Sequence, residues 1–375
     1  MVTLNGTRYN TLGDALRSPQ SGTVFLDGDM TEDVTVLGRN RVLDLNGFVL
    51  KNVEGPVITV GAGGSLTIKD SKGEGNVISV VKDKPAVLVE YGGKLIIEGG
   101  TYTFAAPDDP SGFYVLQTFG TISMLDGTVI GAGNASAVTA GYYDSKFVAP
   151  GPAVFNMSGG SIIHDSFIAV KCDSSGVVGI SGGTIRALKE AVLSWNDTTI
   201  RGGDIISTSM QAILVGNEGY ESTQGRVSIA GGNITGVGRD ISGVEGQDEG
   251  TRVTITGGEF TNPLPPEYIP ENTSMIQGPD GKYRTASDRW TYPEGDRFAW
   301  GLARQRTILH RDIVQYTSGG LGLPIIPENS VLISVSAKGG VTGYHDTSTG
   351  KLHLFRGSKE VSGTLEDVTV VFFHF

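Results

Sequence analysis

The stretch from Val177 to Leu188, VVGISGGTIRAL, decides the fold: a strand of alternating apolar residues is followed by Gly-Gly and a second short strand. The same motif occurs seven times between Lys94 and Asn262. Its copies are KLIIEGGTYTF, TISMLDGTVIGAG, VFNMSGGSIIHD, VVGISGGTIRAL, TTIRGGDIIST, VSIAGGNITGV and VTITGGEFTN. A degenerate copy, SLTIKDSKGEGNVISV, begins at Ser65. Internal repetition of this kind is the signature of a repeat architecture.

The spacing of the repeats predicts one solenoid coil per motif. The second glycines are separated by 20 to 33 residues, and they are Gly100, Gly127, Gly160, Gly183, Gly203, Gly232 and Gly258. Each interval holds about three short strands with period-2 alternation, and neighbouring coils must share one core. A β-sandwich would not repeat one motif in this way, and a leucine-rich repeat would need a leucine ladder that is absent. We therefore predict an all-β fold, a right-handed parallel β-helix with a small C-terminal β-domain.

The ends of the solenoid are marked by separate sequence signals. Thr11-Leu-Gly-Asp14 has the pattern of a capping box and predicts a short helix from Leu12 to Arg17 that covers the first coil. The proline-rich stretch PLPPEYIPENTSMIQGPDGKYRT breaks the repeat. We expect a capped β-helix over residues 1–285.

Three segments near the N-terminus carry a family resemblance: Asp14-Ala-Leu16, Asp27-Gly-Asp29 and Leu43-Asp-Leu-Asn-Gly47. With the repeats, they resemble the pectate-lyase-like β-helix domains of bacterial and phage surface proteins, over roughly residues 1–285. The resemblance implies the fold and says little about activity, as is usual for widely shared folds.

The glycine repeat stops after residue 285. Residues 286–320 read as a linker or neck, in which a near-heptad spacing from Ala299 to Tyr316 would allow an amphipathic helix. Residues 321–375 read as a small β-domain with strands SVLISVSA, GVTGYHD, KLHLFRG and VTVVFFHF. The segment resembles the trimerisation or tip domains of phage fibres. A homotrimer would cover its apolar last strand, whereas the alternative is a monomeric domain packed on the solenoid.

Composition and charge exclude several function classes. The net charge is −11 without a basic stripe, which argues against nucleic-acid binding. Cys172 is the single cysteine, and the five histidines include only one pair, His345 and His353, that a hairpin could bring together. We expect no metal, no cofactor, no signal peptide and no membrane insertion.

Candidate site residues follow strands that begin at Ala137, Ala169, Ala191 and Ala212. Aligning these strands places aromatic and polar side chains on one ledge, where a glycan would find stacking surfaces and hydroxyl partners. The candidates are Tyr142, Tyr143, Asp144, Asp173, Trp195, Asp197, Asn217, Glu218 and Tyr220, with Glu245 on the next coil. Asn and Asp also favour turns, so stacked polar residues are expected in a solenoid in any case.

The sequence leaves three functions open. The first is a phage virion protein, a head or tail fibre or tailspike-like trimer that joins other virion proteins and contacts a bacterial surface glycan. The second is a glycan-degrading depolymerase, but no Arg or Lys is in register as a lyase base, and Lys171 is the nearest candidate. The third is a bacterial adhesin, disfavoured because neither a secretion signal nor an anchoring motif is seen. We expect assembly in the host cytoplasm and a binding rather than a catalytic role.

Overall fold

The computed structural model describes the chain except for residues 107–108, 144–148, 217–224, 244–251, 271–272, 278–279, 288–303, 311–312, 319–329, 337–339, 341, 347–350, 361–367 and 375. The chain divides into two compact units, residues 1–270 and 271–375. The first unit is a solenoid of stacked parallel strands, which confirms the predicted β-helix.

One side of the solenoid is a parallel sheet of nine very short strands, called the short-strand sheet. Each coil contributes three residues to it, and the outer two point inward because side chains alternate along a strand. The strands are Val34–Val36, Ile58–Val60, Val87–Val89, Leu116–Thr118, Val138–Ala140, Val170–Cys172, Val192–Ser194, Ile213–Val215 and Ile241–Gly243.

The remaining sides of the solenoid form a second sheet, called the long-strand sheet. In its first coils the strands are separate pieces: Thr23–Leu26, Met30–Thr31, Asn40–Asp44, Val49–Lys51, Ser65–Lys69 and Asn76–Ser79. From Lys94 onward most coils carry one long strand that bends at its centre. These strands are Lys94–Phe104, Thr121–Ile130, the split pair Ala153–Met157 and Ser161–His164, Gly176–Ala187, Asp197–Ser207, Arg226–Thr235 and Val253–Phe260.

The interior is built from apolar side chains stacked in register. Leu95, Ile122, Phe155 and Val178 occupy successive coils and are all buried. A fully buried side chain of this kind contributes on the order of 1.5 to 3 kcal/mol through removal of apolar surface from water. The stacking explains why a single repeat is insufficient, since each apolar side chain packs on its equivalents in the coils above and below.

The bend in each long strand is the glycine corner, which we define by the seven second glycines of the repeat, Gly100 to Gly258. All seven have φ between 78° and 110°, a region that only glycine adopts without strain. The corner also has no room for a side chain: a Cβ at Gly183 would lie 2.7 Å from the carbonyl oxygen of Gly160 on the preceding coil. The repeat therefore reflects both backbone conformation and close contact between coils.

A short helix, Leu12–Arg17, covers the beginning of the solenoid. The Thr11 Oγ1 accepts a hydrogen bond from the Asp14 amide at 3.1 Å, the N-cap contact that the sequence indicated. Glu32, which follows the strand Met30–Thr31, adds two further contacts, accepting from the amides of Leu12 and Gly13 at 2.7 and 2.8 Å. Antiparallel strands Val2–Leu4 and Thr7–Tyr9 complete this end, and a 3₁₀ turn, Pro266–Tyr268, lies near the end of the first unit.

The second unit consists of small antiparallel sheets. A hairpin joins Thr273–Gln277 to Tyr283–Ser287. A four-stranded sheet has the order Arg304–His310, Ile313–Ser318, Val368–His374 and Ser330–Ser336, and a three-stranded sheet contains Thr342–Asp346, Lys351–Arg356 and Lys359–Glu360. The apolar strand Val368–His374 is bonded to a neighbour on each side, so both of its backbone edges are satisfied.

The helix that the sequence allowed between Ala299 and Tyr316 is not found in the described part of that segment. Arg304–His310 and Ile313–Ser318 are paired antiparallel strands instead. Thr307, Ile313 and Val314 are β-branched and favour strands, and pairing with the strand Val368–His374 outweighs the weak heptad spacing.

Candidate functional site

The outer face of the short-strand sheet carries an unusual set of covered residues. The central residue of each strand points outward, and Thr139, Lys171 and Leu193 stand in register on successive coils. All three are buried even though they face away from the interior. Side chains from the loops that follow the strands must therefore cover this part of the sheet.

Lys171 forms a buried ion pair at the centre of this face. Its Nζ lies 2.9 Å from Oδ1 of Asp173, and the two side chains are only 9% and 2% exposed. They point to the same side because they are two positions apart on an extended chain. The Thr139 hydroxyl, one coil earlier, donates to Oδ2 of Asp173 at 2.6 Å. A buried charge needs this combination of a counter-charge and a hydrogen bond.

Two aromatic rings enclose the ammonium group. The Nζ of Lys171 lies 3.5 Å from the ring centre of Trp195 and 4.7 Å from that of Tyr143. Both distances are within the range of a cation–π interaction. Ile168 and Leu193 pack with Trp195 in an apolar cluster beside it. The positive charge is thus held between the carboxylate of Asp173 and two aromatic faces.

A cleft of about 270 Å³ opens next to this ion pair, and we refer to it as the cleft. Its described lining consists of Tyr114, Gln117, Phe119, Gly141, Tyr142, Tyr143 and Asp173. The rings of Phe119 and Tyr142 stack with their centres 4.4 Å apart, and Tyr143 is 56% exposed. The cleft combines aromatic surface with one carboxylate and a small number of uncharged polar groups.

The ionisation of the nearby groups is set by burial. Burial, and after it the negative charge of Asp173 and the neighbouring Tyr143, raises the pKa of Tyr114 to about 12. Its hydroxyl therefore remains protonated at neutral pH and can donate a hydrogen bond. Burial likewise raises the pKa of the inward-facing Cys172 to about 12, which makes this thiol a packing group and not a nucleophile.

The predicted ledge is brought together in part. Tyr142, Tyr143 and Asp173 line the cleft, and Trp195 covers Lys171 beside it. Asp197 does not line the cleft, because it already belongs to the next long strand and both its oxygens accept from Arg226 at 2.6 and 2.9 Å. Four further candidates lie outside the described residues, as does Glu245: Asp144, Asn217, Glu218 and Tyr220.

Sequence reasoning missed the residues contributed by the preceding coil. Tyr114, Gln117 and Phe119 line the cleft, but the strand at Leu116–Thr118 is preceded by Val115 and lacks the Ala that marked the other coils. Val115 is in hydrogen-bond register with Ala137, so an alignment that accepted any small apolar residue at this position would have found all three.

In the part of the chain that the structure describes, no three histidine, cysteine, aspartate or glutamate side chains form a group that could hold a metal ion. His353 pairs with Tyr344 in the hairpin. His353 contacts Glu360 at 2.5 Å. The side chain of His345 lies outside the described residues, and the metal pair that the sequence allowed lies outside them with it.

Comparison with protein-family models, with curated proteins and with solved structures gives no match for this chain. The class that the observations define is a parallel β-solenoid with an aromatic cleft on its short-strand sheet. Among the described residues, no helix has the length and apolar character that crossing a membrane would require.

Proposed function

We propose that the chain is a glycan-binding β-helix protein that contacts a bacterial surface as part of a phage fibre or tailspike-like assembly. The observation that carries the proposal is the cleft, where aromatic rings from two coils lie beside the Asp173 carboxylate that Lys171 holds in place. The setting in a virion rests on the resemblance of the N-terminal motifs and repeats to phage and bacterial surface proteins.

The chemistry of the cleft matches what a sugar ring offers. One face of a pyranose is apolar and packs on aromatic rings such as those of Tyr142 and Tyr143, which line the cleft. The hydroxyl groups at the edge of the ring both donate and accept hydrogen bonds. Gln117 and Tyr114 add groups that can both donate and accept.

The described residues fit a protein that binds a glycan without cleaving it better than they fit a depolymerase. Glycoside hydrolysis ordinarily uses two carboxyl groups on either side of the scissile bond. Among the described residues of the cleft, Asp173 is the one carboxylate, and it is engaged with Lys171 and Thr139. Incubation with capsular polysaccharide should therefore release neither new reducing ends nor unsaturated sugars, and their appearance would favour the depolymerase.

The binding experiment is a glycan array followed by calorimetry with the best ligand. Tyr143→Ala should weaken binding about tenfold, equivalent to about 1.4 kcal/mol, because an exposed stacking surface is lost. Tyr344→Ala is the matched control, since this tyrosine is 61% exposed but belongs to the second unit. Equal loss of affinity in both variants, or an array without any bound glycan, would contradict the proposal.

We propose further that the protein assembles as a homotrimer through its second unit. That unit consists of small antiparallel sheets and includes the apolar strand Val368–His374, a composition that favours burial against a second copy. Fibre trimers of this kind would migrate as trimers in SDS without heating and as monomers after boiling. A monomer band without heating, together with a monomer mass by light scattering, would overturn the trimer.

A further inference from the structure

His164 is a histidine whose ring is fitted into the interior of the solenoid. It is fully buried at the end of the strand Ser161–His164, and its ring lies against Gly131 of the preceding coil. A Cβ at Gly131 would lie 2.2 Å from Cδ2 of the ring, although Gly131 does not have a left-handed φ. Glycine is therefore required at this position by the histidine ring and not by the backbone conformation.

The hydrogen bonds of His164 hold its ring in the neutral form. Nε2 lies 2.8 Å from the carbonyl oxygen of Ala135, which only accepts, so Nε2 carries the proton. Nδ1 then accepts from the amides of Ser166 and Phe167 at 3.3 and 3.0 Å. A second proton, on Nδ1, would deprive both amides of their acceptor. The neutral ring is thus what closes the turn from His164 to Phe167.

Phe167 connects this turn to the cleft. Its ring packs against the apolar cluster that contains Trp195. The ring of Trp195 lies 3.5 Å from the Nζ of Lys171, and its centre is 5.7 Å from the ring centre of Tyr143. Tyr143 lines the cleft. A continuous set of side-chain contacts therefore runs from the turn after His164 to the wall of the cleft.

We propose that His164 is a positioning residue for the cleft and makes the arrangement of its aromatic wall dependent on pH. At neutral pH the unprotonated ring holds Phe167 against Trp195, which in turn supports Tyr143. When the ring is protonated the turn opens, and Trp195 and Tyr143 lose this support. The inference rests on the proposed function for the ligand of the cleft, whereas the movement of Trp195 needs no ligand.

The direction of the response follows from proton linkage. Burial lowers the pKa of the His164 ring, although the carbonyl of Ala135 and the charge of Asp165 act in the opposite direction. In the open turn the ring meets water and regains its ordinary pKa of about 6.5, so it binds a proton more tightly there. Acid therefore shifts the population from the closed turn to the open one.

Four charged side chains belong to the elements beside this turn, and they are Asp165, Arg186, Lys189 and Glu190. Asp165 and Arg186 form an exposed ion pair at 2.6 Å. The Nζ of Lys189 lies 4.5 Å from the ring centre of Phe167 and holds that ring from its other side. Glu190 is buried, so it requires a control variant of its own. Residues 130–137 of the preceding coil contain no ionisable side chain.

The first test follows Trp195 in the full chain without a ligand. Trp290 and Trp300 are replaced by Phe, so that Trp195 is the one remaining tryptophan. Acrylamide should quench its emission weakly at pH 7, because this side chain is 6% exposed. At pH 5 the quenching constant should be at least about twofold larger, since the open turn is then populated. An unchanged constant, or an increase that coincides with loss of the circular dichroism signal, would overturn the inference.

Variants assign the response to the histidine. His164→Gln keeps one donor and one acceptor but does not titrate, so weak quenching should persist at both pH values. Glu190→Gln is the matched control, because Glu190 is also buried, and it should keep the pH response of the native chain. A response that survives in His164→Gln, or is lost in Glu190→Gln, would contradict the role of His164. If His164→Gln does not fold, Phe167→Ala replaces it and should give strong quenching at both pH values.

The second test measures binding of the best glycan from the array by calorimetry. The native chain should bind about threefold more weakly at pH 5 than at pH 7, because a smaller fraction has the closed turn. His164→Gln should bind equally at both pH values. An affinity that does not depend on pH while Trp195 moves would overturn the role of His164 at the cleft and leave the proposed function standing. An array without any bound glycan would contradict the proposed function, and the quenching measurement would still decide the movement of Trp195.

Discussion

The glycine corner and the corner that carries the cleft, which we call the cleft corner, belong to the same coils. The first is alike in successive coils, whereas the second differs from coil to coil. At the glycine corner every coil from Lys94 onward has the same backbone conformation, with φ near +90° and a glycine against the glycine of the previous coil. At the cleft corner the chain leaves the short-strand sheet differently each time, through Phe119, Tyr142, Asp173 or Trp195. Because the glycine corner is alike in successive coils, it keeps the coils in register, and the residues at the cleft corner can differ from coil to coil.

The difference shows where side-chain chemistry is concentrated. The glycine corner consists largely of close contacts between backbone atoms of neighbouring coils, with apolar side chains such as Leu45 and Met157 beside them, so it contributes rigidity but no recognition. The cleft corner has a buried ion pair, a cation–π contact and an aromatic stack within four coils. A solenoid of this type thus separates the part that maintains the stack from the part that can bind.

The largest expected effect comes from breaking the ion pair at the cleft corner. Lys171→Met leaves the 2% exposed carboxylate of Asp173 without its counter-charge. We expect a loss of roughly 3 kcal/mol in the free energy of unfolding, the lower end of the range for buried pairs because Asp173 borders the cleft. The measurement is urea denaturation of the full chain.

The double variant of Lys171→Met and Asp173→Asn serves as the control for that measurement. It has no unpaired charge and should regain most of the lost stability. If the single variant is as stable as the native chain, the pair is solvated and the description of a buried charge at the cleft corner is wrong.

The next effect separates conformation from contact at the glycine corner. Gly183→Ala places a methyl group in a left-handed conformation and 2.7 Å from a carbonyl oxygen of the preceding coil. Gly238→Ala has a similar φ of 76° but no atom within 4 Å of the added methyl group. We expect the strained φ to lower the free energy of unfolding by about 1 to 2 kcal/mol in both variants. Overpacking should lower it by a further 1 to 3 kcal/mol, roughly, in Gly183→Ala.

Equal losses in those two variants, measured by urea denaturation, would show that the coils can separate slightly at the glycine corner. In that case the repeat would reflect backbone conformation alone. A larger loss at Gly183 would show that contact between coils contributes independently.

The smallest effect concerns pH at a third position, His164, which is fully buried at the end of a long-strand segment. Its Nδ1 accepts from the Phe167 amide at 3.0 Å, and burial lowers the pKa of the ring below its ordinary value. The unfolded chain therefore takes up a proton before the folded chain does, so stability should decrease as pH falls below about 6.5.

Thermal denaturation between pH 7 and pH 5 measures this dependence. His164→Gln should reduce the slope of this dependence. An unchanged slope in His164→Gln would assign the acid sensitivity to other groups.

The sequence predicted the solenoid well because the features that build it depend on short stretches of sequence. Positive φ at Gly100 and its six equivalents, alternation in strands and the cap at Thr11 are each set by a few neighbouring residues. The cleft was predicted only in part, because it depends on how many residues separate a strand from the turn that follows. Asp173 directly follows its short strand, whereas Asp197 is three positions beyond Ser194 and already begins the next long strand.

The burial of Lys171 could not be predicted from the spacing of the repeats. Its position on an outward-facing site of a strand suggests a solvated ammonium, and its burial arises from Trp195 of the next coil and Tyr143 of the preceding one. How the loops between coils fold over the short-strand sheet depends on side-chain packing, which the spacing of the repeats does not specify.

The glycine corner has a consequence for engineering this chain. Because close contacts between the glycines of neighbouring coils hold the coils in register there, the loops after the short strands can differ from coil to coil. The segment from Gly141 to Tyr143 and the segment from Asp173 to Ser175 would have to be varied together, because the Tyr142 amide donates to the carbonyl oxygen of Ser174 at 2.9 Å. A library that varies both segments would change the lining of the cleft and leave the glycine corner unchanged.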